Sequence, residues 1–420
     1  MPRGRRRLAN GRPSREEVND HVVAQSPHLI DSPGRVWVRT LLFVLALGGC
    51  GGGADSGGTG APASSASGTI TGFGSVIVNA VHFDDSSASI TDADGTMHSR
   101  DDLKLGMTTA IKGSAVAVDS NGASSTAASI VFGSAILGRV DNIDTFAKTL
   151  IVLGQTVDVT PTTVFEIGLN GGLAALFVND VIEVYALFDA SNSHYNATRI
   201  ERKTSVSAYR LRGPISNLNT ATKAFNIGSE RISYASMPAS DVPAALANGR
   251  FERAQLRIAP PGEVWIATRL QDGVRQLEDR EDARVEGLIS DFTSSTHFSV
   301  EGVSVDASRA SIAGGTNLGL GIRVAVKGTA RSGVLVASEV QIKTETDVEN
   351  EGFELDGAIS TIDSANQTFV LRGVTVDYSG SVAFQDGTIS DLAVGKRVEI
   401  KGTLSADSTG LQAIRIRFKL

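Results

Sequence analysis

Residues able to do chemistry are few and scattered. The 420-residue chain holds one cysteine, Cys50, and six histidines. Past residue 50 the histidines are His82, His98, His194 and His297, each far from the next. No HExxH or His-x-His spacing occurs, and a single cysteine builds neither a Cys-rich zinc site nor an internal disulfide. Four aspartates recur at matching places: Asp84, Asp158, Asp306 and Asp377. One carboxylate per place falls short of the roughly six to eight oxygens that calcium takes. Each therefore reads as an Asx-turn closing a strand. Asp92-Ala-Asp-Gly95 opens like a calcium loop but lacks the later acidic position, and reads as a hairpin turn. Lys112, Lys327 and Lys401 each precede a glycine. They could form a ligand-facing row, but edge-strand lysines that discourage edge pairing are the favoured reading. Trp265 could stack on a sugar; half-buried core is favoured. No Gly-x-Ser-x-Gly elbow supports a serine triad. No two carboxylates are singled out for glycoside hydrolysis. The sequence nominates no catalytic, cofactor-binding or metal-ligating residue.

Cys50 has its chemistry from its surroundings. Leu41 to Leu47 is an apolar run of seven, against the roughly 20 residues needed to cross a bilayer. Arg35 and Arg39 precede it and Gly48-Gly49-Cys50 follow. A basic stretch, a short apolar stretch and small residues make a secretory signal. Leu47-Gly48-Gly49-Cys50 resembles the bacterial lipobox. That resemblance implies that Cys50 starts the mature chain and carries a thioether-linked diacylglycerol, usually with an amide-linked acyl chain. Several chains matter, because one alone anchors only marginally. Gly51 in place of Asp implies, by the same resemblance, the outer membrane of a two-membrane bacterium. The plainer reading makes Cys50 a small buried hydrophobe or a free thiol.

Residues 1–34 sit awkwardly ahead of this signal, with Arg3, Arg5, Arg6 and Arg7 at the start. A translation start placed too early is the expectation, with the true start near Val36 or Val38; a long basic leader is the alternative. Gly51 to Ser67 is Gly, Ser, Ala and Thr-rich and reads as a flexible tether. The first 50 residues carry eight Arg and four acidic residues, which leaves the remainder 31 basic against 42 acidic, a net of −11. An acidic body argues against non-specific nucleic-acid binding.

Internal repetition organises the rest. Phe298-Ser-Val-Glu-Gly-Val-Ser-Val-Asp306 recurs as segments starting at Val76, Leu150, Phe369 and, more weakly, Phe225, with spacings of 74, 75, 73 and 71. Within it the apolar phase switches at Glu301-Gly302, as a two-residue hairpin turn requires. Pairing Val300 with Val303 and Phe298 with Val305 puts all four on one face. A Gly-x-Ile or Gly-x-Val signature opens each unit at Gly68, Gly138, Gly213, Gly287 and Gly357. A glycine there suits a strand that bends sharply or approaches another backbone. Downstream, Gly106–Gly113, Gly321–Gly328 and Gly395–Gly402 are each seven apart, with alternating apolar residues between. The second unit has a degenerate version, Val181 to Tyr185, and the third has almost none. A short helical turn is expected near Ile389 to Leu392. Each unit of about 65 residues then holds five or six strands, which bury one apolar face best by curling into a small barrel.

Gly68 to Asn79 together with Asp101-Asp-Leu-Lys-Leu-Gly106 resembles the opening of a bacterial repeat family, domain of unknown function 5666, found in tandem in lipoproteins and other exported proteins. The resemblance covers residues 68–420, strongest in the first, fourth and fifth copies. It implies small barrels similar to the oligonucleotide/oligosaccharide-binding (OB) fold, and carries no known catalytic or ligand residues. The expected fold is all-β: a tandem array of five small OB-like β-barrels after a signal peptide and tether. The expected boundaries are 1–49 for the signal, 50–67 for the lipidated tether, then barrels at 68–133, 134–204, 205–276 (degenerate), 285–343 and 354–420. Leu277 to Asp282 and Glu345 to Glu351 are expected as solvated connectors. Each barrel is expected to have its own small core, leaning on its neighbours.

Three functions compete. The first is a non-enzymatic, lipid-anchored envelope protein of structural or interaction type, attached through Cys50 and facing the periplasm or the surface, with an envelope protein as partner. The second is a glycan- or polysaccharide-binding envelope protein, using several weak sites for avidity; sparse aromatics, at 5%, count against it. The third is an envelope hydrolase with its site in the degenerate third repeat. None needs a cofactor.

Overall fold

A computed structural model describes residues 63–120, 122–258, 264–274, 277–315 and 317–419. The signal, Cys50 and most of the tether lie outside the described residues. Five barrels follow one another, and each closes by the same circuit of five strands. In the fourth, Arg280–Ser294 pairs with His297–Val300, which pairs with Val303–Asp306. That strand runs parallel to Val334–Lys343, which pairs with Arg323–Arg331, and this returns to Arg280–Ser294. The strand order around the barrel is thus 1-2-3-5-4-1. The fifth barrel repeats the circuit over Phe353–Phe418, the second over Ile136–Lys203, the third over Tyr209–Asp272 and the first over Ser64–Phe132. Closing a sheet on itself removes the open edges that a flat sheet would leave.

The hairpin register follows the sequence reading. Val300 opposes Val303 and Phe298 opposes Val305. Glu301 and Gly302 take φ of 50° and 86°, the positive values of a two-residue turn whose twist matches the strands. Arg372-Gly373, Leu153-Gly154 and Asn79-Ala80 repeat this conformation. Short 3-10 turns lie at Arg100–Asp102, Gly172–Ala175, Ala239–Asp241 and Ile389–Asp391.

Four expectations are corrected. Lys112, Lys327 and Lys401 are not on edge strands: each sits in a strand paired on both sides. The Lys-Gly step marks a bulge, with register shifts at Lys112/Gly113, Lys327/Gly328 and Lys401/Gly402. Glycine is required because the partner backbone fills the space; a Cβ on Gly328 would lie 2.1 Å from the Val336 carbonyl oxygen. The opening glycines approach side chains rather than another backbone, those of the first hairpin in four copies and the Tyr195 hydroxyl at Gly213. At Gly287 the space is filled by Glu301 and Val300, at Gly138 by Leu153. The third copy keeps its downstream signature after all. Gly249, at φ 84°, donates its N–H to the Ile215 carbonyl as Gly395 does to that of Ile359. Gln255-Leu256 replaces Lys-Gly at its bulge, which hid it.

The fourth correction concerns the connectors. Ser64 to Ser67 are not tether but the start of the strand Ser64–Phe73, and all are buried. They pair antiparallel with Gly113 to Ala110 and parallel with Asp282 to Val285 of the fourth barrel. The charged run ending at Asp282 therefore lies partly inside a strand that begins at Arg280, five residues before the expected boundary. Glu345–Glu351 is a short helix capped by Thr344. The five cores are also not separate. One buried cluster joins the first and fifth barrels, a second joins the second and third, and the fourth keeps its own. Units this small bury too little surface alone, and neighbours complete them.

Candidate functional site

Three of the four repeated aspartates close the expected Asx-turns. Asp84, Asp306 and Asp377 accept hydrogen bonds from the backbone N–H groups of Ser86, Ser308 and Ser379, closing Asx-turns. Asp158 instead meets His194 Nδ1 at 2.9 Å. Asp92 closes its hairpin by accepting from the amides of Asp94 and Thr96. Trp265 is half-buried, packs edge-on to Tyr209 and donates its indole N–H to Glu230. Among the described residues no group of three or more His, Cys, Asp or Glu could hold a metal ion.

The candidate site lies between barrels, where sequence inspection of single units does not look. A cavity of about 580 Å³ opens at the junction of the first, second and fifth barrels. Phe73, Leu105, Val164, Phe165 and Leu411 form apolar wall. Polar groups converge at one side: Arg100, Lys104, Arg199, Glu166 and Glu201. A second cleft of about 360 Å³, between the first, second and third barrels, shares Lys104 and Glu201 with it. Apolar walls with a few placed polar groups are the usual make-up of a small-molecule site.

Strand pairing in the second barrel aims these charges. Val181–Asp189 and His194–Lys203 pair so that Glu183 opposes Glu201 and Tyr185 opposes Arg199. Arg199 Nε meets Glu201 at 2.5 Å, and its Nη1 donates to the Leu105 carbonyl of the first barrel. Lys203 bridges Glu201 and Glu183 at 2.6 and 2.9 Å. Glu183 accepts from Ser134 Oγ. Arg210 of the third barrel meets Asp94 of the first at 2.6 Å, and Arg253 lies 3.5 Å from the same carboxylate. The result is an alternating line of charge that ties three barrels together.

The line sets the titration of its members. Burial works to raise Glu201, but Arg199 and Lys203 hold it below the usual carboxylate range. Burial and the neighbouring Glu201 charge push Glu166 up, against the Arg202 amide that it accepts from. Burial pulls Arg253 down despite Asp94. These residues carry no repeat signature, because they stand where the copies differ. Their one trace is the charged run Arg199 to Lys203 at a strand end, which reads equally as a solvated surface.

A separate carboxyl stands out in the third barrel. Glu252 is 1% exposed, lies opposite Asp272 in register, and its Oε2 has no hydrogen-bond partner among the described residues. Burial and then the Asp272 charge push its pKa from 4.5 to about 7. Between those values the folded carboxyl keeps a proton that the unfolded one has lost. Stability from this group is therefore lost as pH rises from 4.5 toward about 7, by up to about 3 kcal/mol. The Glu252→Gln variant should flatten that slope; urea midpoints of both proteins across this range measure it. Parallel slopes in the two would refute the assignment.

A model of a domain of unknown function, DUF5666, matches residues 138–201, 286–341 and 356–417. The protein is thus a tandem small-barrel protein, and three of its segments are matched by the DUF5666 model. The matched segments are the second, fourth and fifth barrels, so the model matches the second barrel and not the first, where the resemblance is expected to be strong. The first and third barrels share the circuit of strands without matching that model. No curated protein matches the chain.

Proposed function

We propose that the chain is a lipid-anchored cell-envelope protein of structural or interaction type, held at the outer membrane through Cys50. Its five barrels form a body that binds rather than transforms. The observation that carries this reading is the charge line at the three-barrel junction. Asp94 and Glu183 of the first and second barrels both face Arg210 of the third, and Glu201 lies between Arg199 and Lys203 of its own strand. Glu201, held ionised between its two cations, is a poor general acid, and the pairing of Arg210 with Asp94 and Glu183 fixes barrel to barrel. The adjoining cavity of about 580 Å³ is the place for a ligand.

Glu252 is the group that a hydrolytic reading of the third barrel would use, since a carboxyl near pH 7 suits acid catalysis. Its burial works against that reading, because a general acid must reach the atom it protonates. A glycan reading would use exposed aromatic faces, and Trp265 instead packs on Tyr209. The anchor is tested by palmitate labelling in a bacterium that processes lipoproteins. Wild type takes up label and fractionates with membranes, and Cys50→Ala does neither. Label retained by the alanine variant would overturn the anchor.

A further inference from the structure

One edge recurs in every barrel, covered by a neighbour in some and open in others. It is the residue with positive φ two places before the fourth strand, together with the residue before it: Leu105-Gly106, Val178-Asn179, Asn248-Gly249, Leu320-Gly321 and Val394-Gly395. In the first barrel this edge is covered by the second. Leu105 is 3% exposed and its carbonyl accepts from Arg199. A Cβ on Gly106 would lie 2.3 Å from the Thr198 carbonyl oxygen. In the fourth barrel the edge is again met by the second, with Asp189 and Ser191 against Gly321. In the third and fifth barrels nothing described lies within 4 Å of a Cβ on Gly249 or Gly395; the third edge carries the polar Asn248, whereas Val394 and Ile389 of the fifth are apolar and 62% and 47% exposed.

The covering element is also recognisable. Thr198 is the extra residue of the bulge where Tyr185 pairs with Arg199 and Ala186 with Ala197. By the same register, the extra residue of the fifth barrel is Ile414, between Arg415 and Ala413. Its counterparts in the other barrels are Ala128, Thr268 and Ser338. Thr198 is buried in its junction, whereas Ile414 is 48% exposed. The fifth barrel thus presents both halves of a junction that the first and second barrels have closed, each half apolar and bare.

We infer that the fifth barrel docks on the fifth barrel of a second copy of this chain, the Ile414 bulge of one seating against the Val394-Gly395 edge of the other. The internal junction is the template, and a sibling barrel is the surface that already fits such an edge. Each copy carries both halves, so a single contact leaves one half free on each copy and permits short chains of copies, while a two-fold arrangement uses both halves and closes a dimer. This assembly is independent of the Cys50 anchor.

The test uses the full chain carrying Cys50→Ala, so that no native thiol remains. Two differently tagged forms are co-expressed, one with Val394→Cys and one with Ile414→Cys, and oxidised with copper phenanthroline. The expected result is a disulfide-linked mixed dimer well above that from either form alone. Adding Ile389→Asp to the first form should weaken association roughly tenfold and reduce the cross-link accordingly. Light scattering of the uncross-linked Cys50→Ala chain should show concentration-dependent self-association, with melting unchanged by the Ile389 substitution. The inference is overturned if the mixed pair cross-links no better than the single forms, or if the folded chain stays monomeric at ~100 µM. Anionic vesicles that bind this chain and release the Val394→Asp variant would also overturn it, since the edge would then face lipid.

Discussion

Replacing Glu301 by alanine should destabilise the protein by about 3–5 kcal/mol, a larger effect than any exposed ion pair could give. Glu301 is the first residue of the hairpin turn in the fourth barrel, yet its side chain and that of Arg212 are only 8% and 7% exposed. The guanidinium makes four contacts. Nη1 is 3.3 Å from Glu301 Oε2, Nη2 donates to the Glu301 carbonyl, Nε donates to the Gly273 carbonyl, and Cζ lies 4.8 Å over the Phe251 ring. The other carboxylate oxygen, Oε1, accepts from the Phe188 amide of the second barrel. Alanine would leave a buried cation and a buried N–H without their anion. That penalty, rather than the loss of one attraction, sets the size of the effect. Combining Arg212→Met with Glu301→Gln should recover much of the loss, because glutamine still accepts from Phe188 and no charge stays buried. Urea midpoints at pH 7 read both variants. A loss below about 1 kcal/mol for Glu301→Ala would mean that water reaches the pair.

Glu301 also shows where sequence reasoning stops. Its conformation was legible, since a phase switch between Phe298-x-Val300 and Val303-x-Val305 fixes the turn locally. Its partner was not, because Arg212 is 89 residues away and nothing in a turn glutamate names its anion-seeking neighbour. Local pattern gave the barrel, the hairpin register and the Asx-turns at Asp84, Asp306 and Asp377. Pairing between units was invisible for a physical reason. The repeat signature records what every barrel needs, while docking uses positions where the barrels differ, such as Asp94, Arg199, Arg253 and Glu301. The lysines before glycine illustrate the same limit. A Lys-Gly step reads alike on an edge strand and at an internal bulge, and only the strand on the far side distinguishes them. The candidate cavity was equally hidden, being walled by three barrels at once.

The seam between the tether and the body is where a proline should do most to undo the assembly. Ala66 lies opposite Ile111 of its own barrel and opposite Arg284 of the fourth. It is 1% exposed and flanked by buried serines. Proline at 66 removes an N–H from the middle of a strand paired on both sides and presses its ring against the preceding backbone. The lost bond with its buried acceptor, plus the steric strain, should cost about 3 kcal/mol or more. The location of the damage matters more than its size. With Ser64 to Ser67 displaced, Arg280–Ser294 keeps its pairing with Arg323–Arg331 but presents a bare edge on the other side. Trypsin should then cut at Arg280 and Arg284, which the intact protein shields within paired strand, and a denaturing gel should show the nicked chain. An unchanged digestion pattern in Ala66→Pro would show that the strand does not hold the first and fourth barrels together. If the chain is anchored through Cys50, the first described residues after the anchor are this same seam. A pull from the membrane then bears on a strand shared by two barrels, and in-line extension of such a strand must shear several ladder bonds at once instead of peeling one barrel away.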